Sequence, residues 1–492
     1  ERGQCHESLK CLEQMQREGI SPTLITFICI LKACGKIGAI DKGTWIHNEI
    51  MKSTSSFKTD TPLGNALVDM YVRCGSLDEA MNTIYRLPNR NVVTWNTLIT
   101  AYIHHGLAHN ALESFRHMKS EGFSPNAVTF ICILKACGRV GSLDVGEEIH
   151  ANVSKQGLLE TNIIVGNALI DMYAKCGVLA KAHQVLEELP LRDIVSWSAL
   201  IAGYVQEGQG HEALTCFEQM QTEGLSGDAV TLICILKACS STKSIEKGKE
   251  VHEKILSKEL IKQDIVLGTT LVDMYVKCGV LEKAQEVLKG LSDRDVVSWN
   301  SLISGYAEDG QYHNVLHCLE QMQIEGLLPD SVTFMCILKA CGSIGAVRKG
   351  LETHAVISRQ EWLKRDLASG GTLVAMYAKC GLLPQAEEVF MRLGVQDVVT
   401  WTALLAGYSQ LGDYENVFHL FARMLDDGRK VNLITLNNVL NACNHAGQVE
   451  QGECYFLAMD KIYKIDQTVE QFSCMLDILS RAGQLEKAAI MI

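Results

Sequence analysis

Apolar residues recur at helical spacing along the whole chain and are interrupted at short intervals by glycine. In VVTWNTLITAYIHHGLAHNALESFRHMKSEGFSPN (92–126), Trp95, Leu98, Ile99 and Tyr102 follow the i, i+3, i+4, i+7 spacing of one helix face. Gly106 breaks the pattern, and Ala111, Leu112, Phe115 and Met118 continue it on a second helix. The pattern predicts a helical hairpin. The next stretch, 127–162, begins AVTFICILKACGRVGSLDVGEEIH, and 163–193 begins IIVGNALIDMYAKCGVLAKAHQVL; both have the same layout.

The hairpins repeat at a longer period. Trp95, Trp197, Trp299 and Trp401 lie 102 residues apart, as do Gly64, Gly166, Gly268 and Gly370. His150, His252 and His354 keep the interval, and so do Cys132, Cys234 and Cys336. Each 102-residue unit divides into pieces of 35, 36 and 31 residues. The first copy is one residue longer, most simply within Ser53–Asp60. A hairpin of this kind cannot bury its apolar face alone, so neighbours must stack into a continuous core. The prediction is an all-α solenoid of about 15 hairpins, not the roughly three globular domains that length alone suggests.

Charge narrows the function. Forty-five basic residues against 57 acidic ones give a net charge of −12, which excludes a generally basic nucleic-acid binder. No apolar run approaches the ~18–20 residues of a membrane span, so no membrane partner is expected. The chain opens on Glu1 and reads as a piece of a longer protein whose targeting sequence lies elsewhere.

The 19 cysteines invite a metal or redox reading. However, pairs such as Cys29/Cys34 and Cys132/Cys137 are five residues apart, about 140° around a helix, which is poor for sharing an ion. No C-x-x-C occurs. Most cysteines recur at fixed repeat positions, as small apolar side chains in a reducing compartment would. His47-Asn48-Glu49 matches half of a zinc deaminase signature, but no P-C-x-x-C follows. No nucleotide-binding loop or nucleophile elbow is present. No metal, cofactor or catalytic residue is expected, and this chain is read as not an enzyme by itself.

The 35–36–31 alternation, with NALIDMYAKCG (167–177), VVSWNSLISGYAEDG (296–310) and TFICILKAC (129–137), resembles the PLS class of plant pentatricopeptide repeat proteins. In that register P repeats occupy 92–126, 194–228, 296–330 and 398–432, after a partial one at 1–23. L repeats occupy 24–60, 127–162, 229–264 and 331–366, and S repeats 61–91, 163–193, 265–295 and 367–397. LNACNHAGQVEQG, within 433–468, and VEQFSCMLDILSRAGQLEKA, within 469–492, resemble the terminal L-type and partial S-type pair. The resemblance implies a right-handed superhelical solenoid that binds single-stranded RNA, one base per repeat. It further implies the targeting module of an organellar C-to-U editing factor in mitochondrion or chloroplast. A deaminase would lie beyond Ile492 or act in trans, together with other editing-complex proteins. Transcript processing, splicing or stabilisation is an alternative, as is a TPR-like protein-binding scaffold.

Specific residues carry the expectation. Position 2 of each P repeat is Val93, Val195, Val297 or Val399: a wedge sandwiching a base, or a marginal core contact. Position 5 and the last residue form the pairs Asn65/Asn91, Asn96/Asn126, Asn167/Asp193, Ser198/Asp228, Thr269/Asp295, Asn300/Asp330 and Thr402/Asn432. An ionised Asp only accepts hydrogen bonds, which suits the ring N–H of U and G; Asn also donates, which suits the bare ring nitrogen of A and C. Helix capping is the other reading of the terminal Asn and Asp. In the L repeats position 5 is Ile28, Ile131, Ile233 or Met335, which have nothing to read with. Carrying the family's code over gives 5′-nnYYnUGnGUnnAnn-3′, with Gly371/Asp397 unassigned. At position 13 of the S repeats, Lys175, Lys277 and Lys379 are candidate phosphate contacts, alongside Arg73. Asp69, Asp171 and Asp273 precede Arg73, Lys175 and Lys277 by four residues and offer helix ion pairs instead. Lys32, Lys135, Lys237 and Lys339 add a cation at position 9 of the L repeats.

Overall fold

The computed structural model describes residues 2–52, 60–87, 89–257, 264–359 and 367–491. Asp60 is thus the only described residue of Ser53–Asp60, where the sequence places the extra residue of the first copy. The described residues form thirty helices and no strand. They fall into two compact units, Glu1–Val251 and His252–Ile492, each a stack of helical hairpins.

Hairpin formation follows from the local sequence. Asn91 caps helix Val92–His104: its Oδ1 accepts from Thr94 N–H at 3.0 Å, while Thr94 Oγ1 accepts from Asn91 N–H at 3.3 Å. Such a cap stabilises a helix by about 1 kcal/mol. Gly106, at φ 77°, then reverses the chain into helix Ala108–Ser120. Trp95, Leu98, Ile99 and Tyr102 of the first helix and Ala111, Leu112, Phe115 and Met118 of the second are all buried.

Successive hairpins join through recurring contacts. Gly146 of helix Leu143–Lys155 lies against Met172, whose Sδ and Cε would both stand 2.6 Å from a Cβ added there. This close approach brings His150 Nδ1 to 2.9 Å from the Tyr173 hydroxyl. The same pair recurs as His47–Tyr71 at 2.8 Å, His252–Tyr275 at 2.9 Å and His354–Tyr377 at 2.7 Å. His47 is therefore a packing residue that joins helix Ile40–Lys52 to helix Thr61–Arg73. Other joints use charge: Arg294 Nη2 meets Glu325 Oε1 at 2.8 Å, and Trp299 Nε1 donates to Glu325 Oε2 at 2.8 Å. The buried cysteines serve packing. Cys34, Cys137, Cys239, Cys341 and Cys443 are buried, and burial pushes the Cys137 thiol up to about 12. Among the described residues no group of His, Cys, Asp or Glu is arranged to hold a metal ion.

Candidate nucleic-acid interface

The first helices of neighbouring repeats pack side by side, as Thr61–Arg73, Val92–His104 and Ala127–Val140 do. Their shared face carries the residues singled out by sequence. Position 2 is outside the core: Val93, Val195, Val297 and Val399 are 57% to 63% exposed. Ile25, Val128, Ile164, Val230, Val266, Val332 and Ile434 are exposed at the equivalent place. These stiff β-branched side chains, largely left in water, form a row of apolar wedges within each unit.

In three of the seven pairs the position-5 residue hydrogen-bonds directly to the last residue of its repeat. Asn96 Nδ2 donates to Asn126 Oδ1 at 3.0 Å, and Asn300 Nδ2 to Asp330 Oδ1 at 2.9 Å. Asn167 Nδ2 donates to Asp193 Oδ1 at 3.1 Å. Asn65 and Asn91 meet through Thr94, whose hydroxyl lies 2.6 Å from Asn65 Oδ1 and 2.9 Å from Asn91 Oδ1. Ser198 Oγ is 2.6 Å from Thr231 Oγ1, which donates to Asp228 Oδ1 at 2.7 Å. Thr402 differs, because its hydroxyl donates within its own helix to the Val398 and Val399 carbonyls. Asn432 takes its bonds from Thr435. Thr269 Oγ1 and Asn167 Oδ1 are buried with no hydrogen-bond partner among the described residues.

The terminal Asn and Asp residues do cap the following helices, as the alternative reading expects. Capping uses one atom only. Asp295 and Asp330 accept the Ser298 and Thr333 N–H groups through Oδ1, and among the described residues their Oδ2 atoms take no hydrogen bond. Capping and an open acceptor thus coexist. At Asp193 burial raises the carboxyl, but the Ser196 N–H and hydroxyl and the Asn167 amide outweigh it and hold it below the usual range. That group is ionised at neutral pH and only accepts.

Sequence reasoning missed one set of residues. Thr94, Thr129, Ser196, Thr231, Ser298, Thr333, Thr400 and Thr435 stand at position 3 of the following repeat and are fully or almost fully buried. Thr129 and Thr333 donate to the position-5 Oδ1 at 2.7 and 2.6 Å. They orient the Asn amide, so that its nitrogen faces the terminal residue. The signal was present as a Ser or Thr three residues after every terminal Asn or Asp.

Charge along the face alternates between tied and free. Arg73 pairs with Asp69 at 2.8 Å, Lys175 with Asp171 at 2.7 Å and Lys277 with Asp273 at 2.9 Å. Lys379 is exposed and unpaired among the described residues. Lys32, Lys135, Lys237 and Lys339 are likewise exposed and carry no ion pair there.

Known proteins share this architecture. The PPR repeat family model matches residues 90–139, 192–241, 294–343 and 396–445. A pentatricopeptide repeat domain matches 2–37, and a PPR repeat matches 65–92, 167–194 and 269–296. A pentatricopeptide repeat-containing protein of Arabidopsis thaliana is 34% identical over 98% of this chain and 69% of its own length. A mitochondrial relative from the same plant is 32% identical over 98% of this chain and 69% of its own length. A chloroplastic one is 32% identical over 98% and 59%. The crystal structure of the maize pentatricopeptide repeat protein PPR10 superposes with a TM-score of 0.62 at 19% identity, covering 98% of this chain and 74% of that one. PPR10 in complex with an 18-nt psaJ RNA element gives 0.59 at 20% identity, covering 93% and 76%. With hairpins, repeat period and relatives in agreement, the chain belongs to the pentatricopeptide repeat family.

Proposed function

We propose that this chain binds single-stranded RNA by sequence, one base per repeat, and serves as the targeting array of an organellar C-to-U RNA editing factor. The observation that carries the reading is the alternation along the first helices within each unit. Hydrogen-bonding pairs such as Asn300/Asp330 occupy P and S repeats, while Ile131, Ile233 and Met335 stand in the L repeats between them. A peptide groove has no need of that alternation. Exposed valines flanking each pair provide the surfaces between which a splayed base stacks. Buried, unpartnered atoms at Asn167 and Thr269 fit a face completed by a ligand. The RNA-bound form of PPR10 supports the choice of partner. Mitochondrial and chloroplastic relatives support an organellar setting. The editing role rests on the order of P, L and S repeats and on the two terminal repeats, at 433–468 and 469–492.

A gel shift tests the reading. The 15-mer 5′-nnYYnUGnGUnnAnn-3′ is expected to bind at least tenfold more tightly than a version with its G and U positions exchanged. Equal binding of both points to an unspecific electrostatic binder, and binding of neither to a protein scaffold.

A further inference from the structure

A cleft of about 280 Å³ opens between the second helices of two neighbouring repeats in the second unit, Leu281–Gly290 and Tyr312–Ile324. It lies away from the exposed wedge of its own repeat. Trp299 borders the cleft, and Val297 stands two residues earlier, about 200° around the same helix. Glu325 anchors one end: its Oε1 meets Arg294 and its Oε2 accepts from Trp299, so both carboxylate oxygens are engaged within the fold. The remaining polar groups are open. Lys289 pairs with no acid, and the side chains of Gln285, His317 and Gln321 make no hydrogen bond among the described residues. Burial pushes the Cys318 thiol up to about 12, and the Lys289 ammonium opposes that rise, which sets the ammonium over the same floor.

The 102-residue period shows what is unusual about this groove. Lys289 stands where the other copies carry Tyr85, Glu187 and Met391, and His317 where they carry Glu113, Thr215 and His419. The place of Gln285 is taken by Glu387 in the last copy. Each other copy thus has two carboxylates at the equivalent positions: Glu113 with Glu121, Glu187 with Glu223, and Glu387 with Asp427. Here the lining holds Glu325 alone, against Lys289 and Arg294. On a chain of net charge −12 this is a cationic slot. Its longer wall runs from His317 to Glu325, about 12 Å of helix, the length of three or four extended residues. The amides of Gln285 and Gln321 can both donate and accept, as a peptide backbone requires, and the cations suit a carboxylate.

We propose that this cleft docks an acidic segment of a protein partner. An extended peptide lies along the slot with its backbone on Gln285 and Gln321, and its Asp or Glu carboxylate meets Lys289, with His317 as a second donor. The site is separate from the wedge-bearing face and does not depend on the RNA-binding role.

The test uses the unaltered chain and two fluorescein-labelled peptides, Ser-Glu-Ala-Glu-Ser-Glu-Ala-Glu and the same sequence with Gln for every Glu. Fluorescence anisotropy is expected to show the Glu peptide binding about tenfold more tightly. Lys289→Glu, which gives this groove the charge that Glu187 supplies in another copy, is expected to abolish the difference with helicity unchanged by circular dichroism. Lys283→Glu alters a lysine of the same helix that pairs with Glu286 outside the cleft, and is expected to leave the difference largely intact. Equal binding of the two peptides by the unaltered chain overturns the proposal. Equal losses in the two variants would mark a diffuse field in place of a site and overturn it as well. Inorganic phosphate and an unlabelled single-stranded RNA 15-mer serve as competitors. Displacement of the peptide by phosphate would mark a free-anion site, displacement by RNA a contact to the strand backbone, and either would overturn the peptide assignment.

Discussion

Asn300 and Asp330, thirty residues apart in sequence, are joined by a 2.9 Å hydrogen bond from Asn300 Nδ2 to Asp330 Oδ1. The amide has one orientation only, because Thr333 Oγ1 donates to Asn300 Oδ1 at 2.6 Å. The bond falls on Oδ1, the oxygen that also caps the next helix, so Oδ2 is left as the open acceptor.

Asn300→Thr removes that internal donor. The pair then matches Thr269/Asp295, and the preference at position 10 of the 15-mer is expected to move from U to G. Fluorescence anisotropy with the two strands reads the change. A preference that stays at U would show that the repeat register is misplaced.

Thr333→Val tests the buried hydroxyl that organises the pair. Its Oγ1 accepts from Asp330 N–H at 3.2 Å and lies within reach of both Asn300 Oδ1 and Asp330 Oδ1. Loss of the group leaves Asn300 Oδ1 buried without a donor, a cost of about 1–2 kcal/mol. The variant is expected to melt earlier and to lose discrimination at position 10 while Asn300 and Asp330 are both still present.

Hairpins, period and the run of position-2 valines were legible in the sequence because repetition multiplies a weak helical signal. Trp95, Trp197, Trp299 and Trp401 mark the same core position each time, and each is buried. The tie between Lys175 and Asp171 was legible too, since four residues along a helix place both on one face. Contacts between repeats were not. His150 and Tyr173 each keep the 102-residue interval, but nothing in their spacing says that the two faces meet. Thr333 was hidden for another reason: a Ser or Thr three residues after an Asp already has an explanation as a capping box, which masks its second bond to Asn300.

Glycine at the His150–Tyr173 joint is favoured by space and not by backbone angle. A methyl group at Gly146 would meet the Met172 thioether at 2.6 Å. Gly146→Ala is expected to destabilise the protein by about 1–3 kcal/mol through overpacking. Gly290 has nothing within 4 Å of an added Cβ and ends helix Leu281–Gly290. Gly290→Ala is expected to be neutral or to stabilise by up to ~1 kcal/mol. Urea denaturation of the two variants should give opposite shifts or a shift in Gly146→Ala alone.

Lys379 and Lys175 occupy the same repeat position with different freedom. Lys175 Nζ is held by Asp171 at 2.7 Å, whereas Lys379 faces Ala375. Lys379→Ala is expected to weaken RNA binding regardless of sequence and to reduce the slope of log affinity against log salt by ~0.7. Lys175→Ala should change both less, because Asp171 already holds its ammonium in an ion pair. Equal effects would mean that the ion pair opens on binding.

The four His–Tyr joints give the array a predictable response to acid. Burial lowers the pKa of His47, His150, His252 and His354 below the ordinary 6.5. Neighbouring charge adds to this at His47, where Arg86 lowers it further and Glu79 opposes, and at His354, where Arg392 lowers it and Glu388 opposes. At His150, Glu188 and Glu147 oppose the burial and Lys181 adds to it. Lys283 adds to it at His252 and Glu253 opposes. Each folded imidazole stays neutral at a pH where the unfolded chain has begun to bind a proton. Above about pH 7 both states are neutral and the groups have no effect on stability. As pH falls through 6.5 the unfolded state takes up protons first, so stability declines until the folded-state pKa values are passed. Melting temperature is therefore expected to drop between pH 7 and pH 5.5. Replacing the four histidines by Gln should flatten that part of the profile, and an unchanged profile would place the acid sensitivity elsewhere.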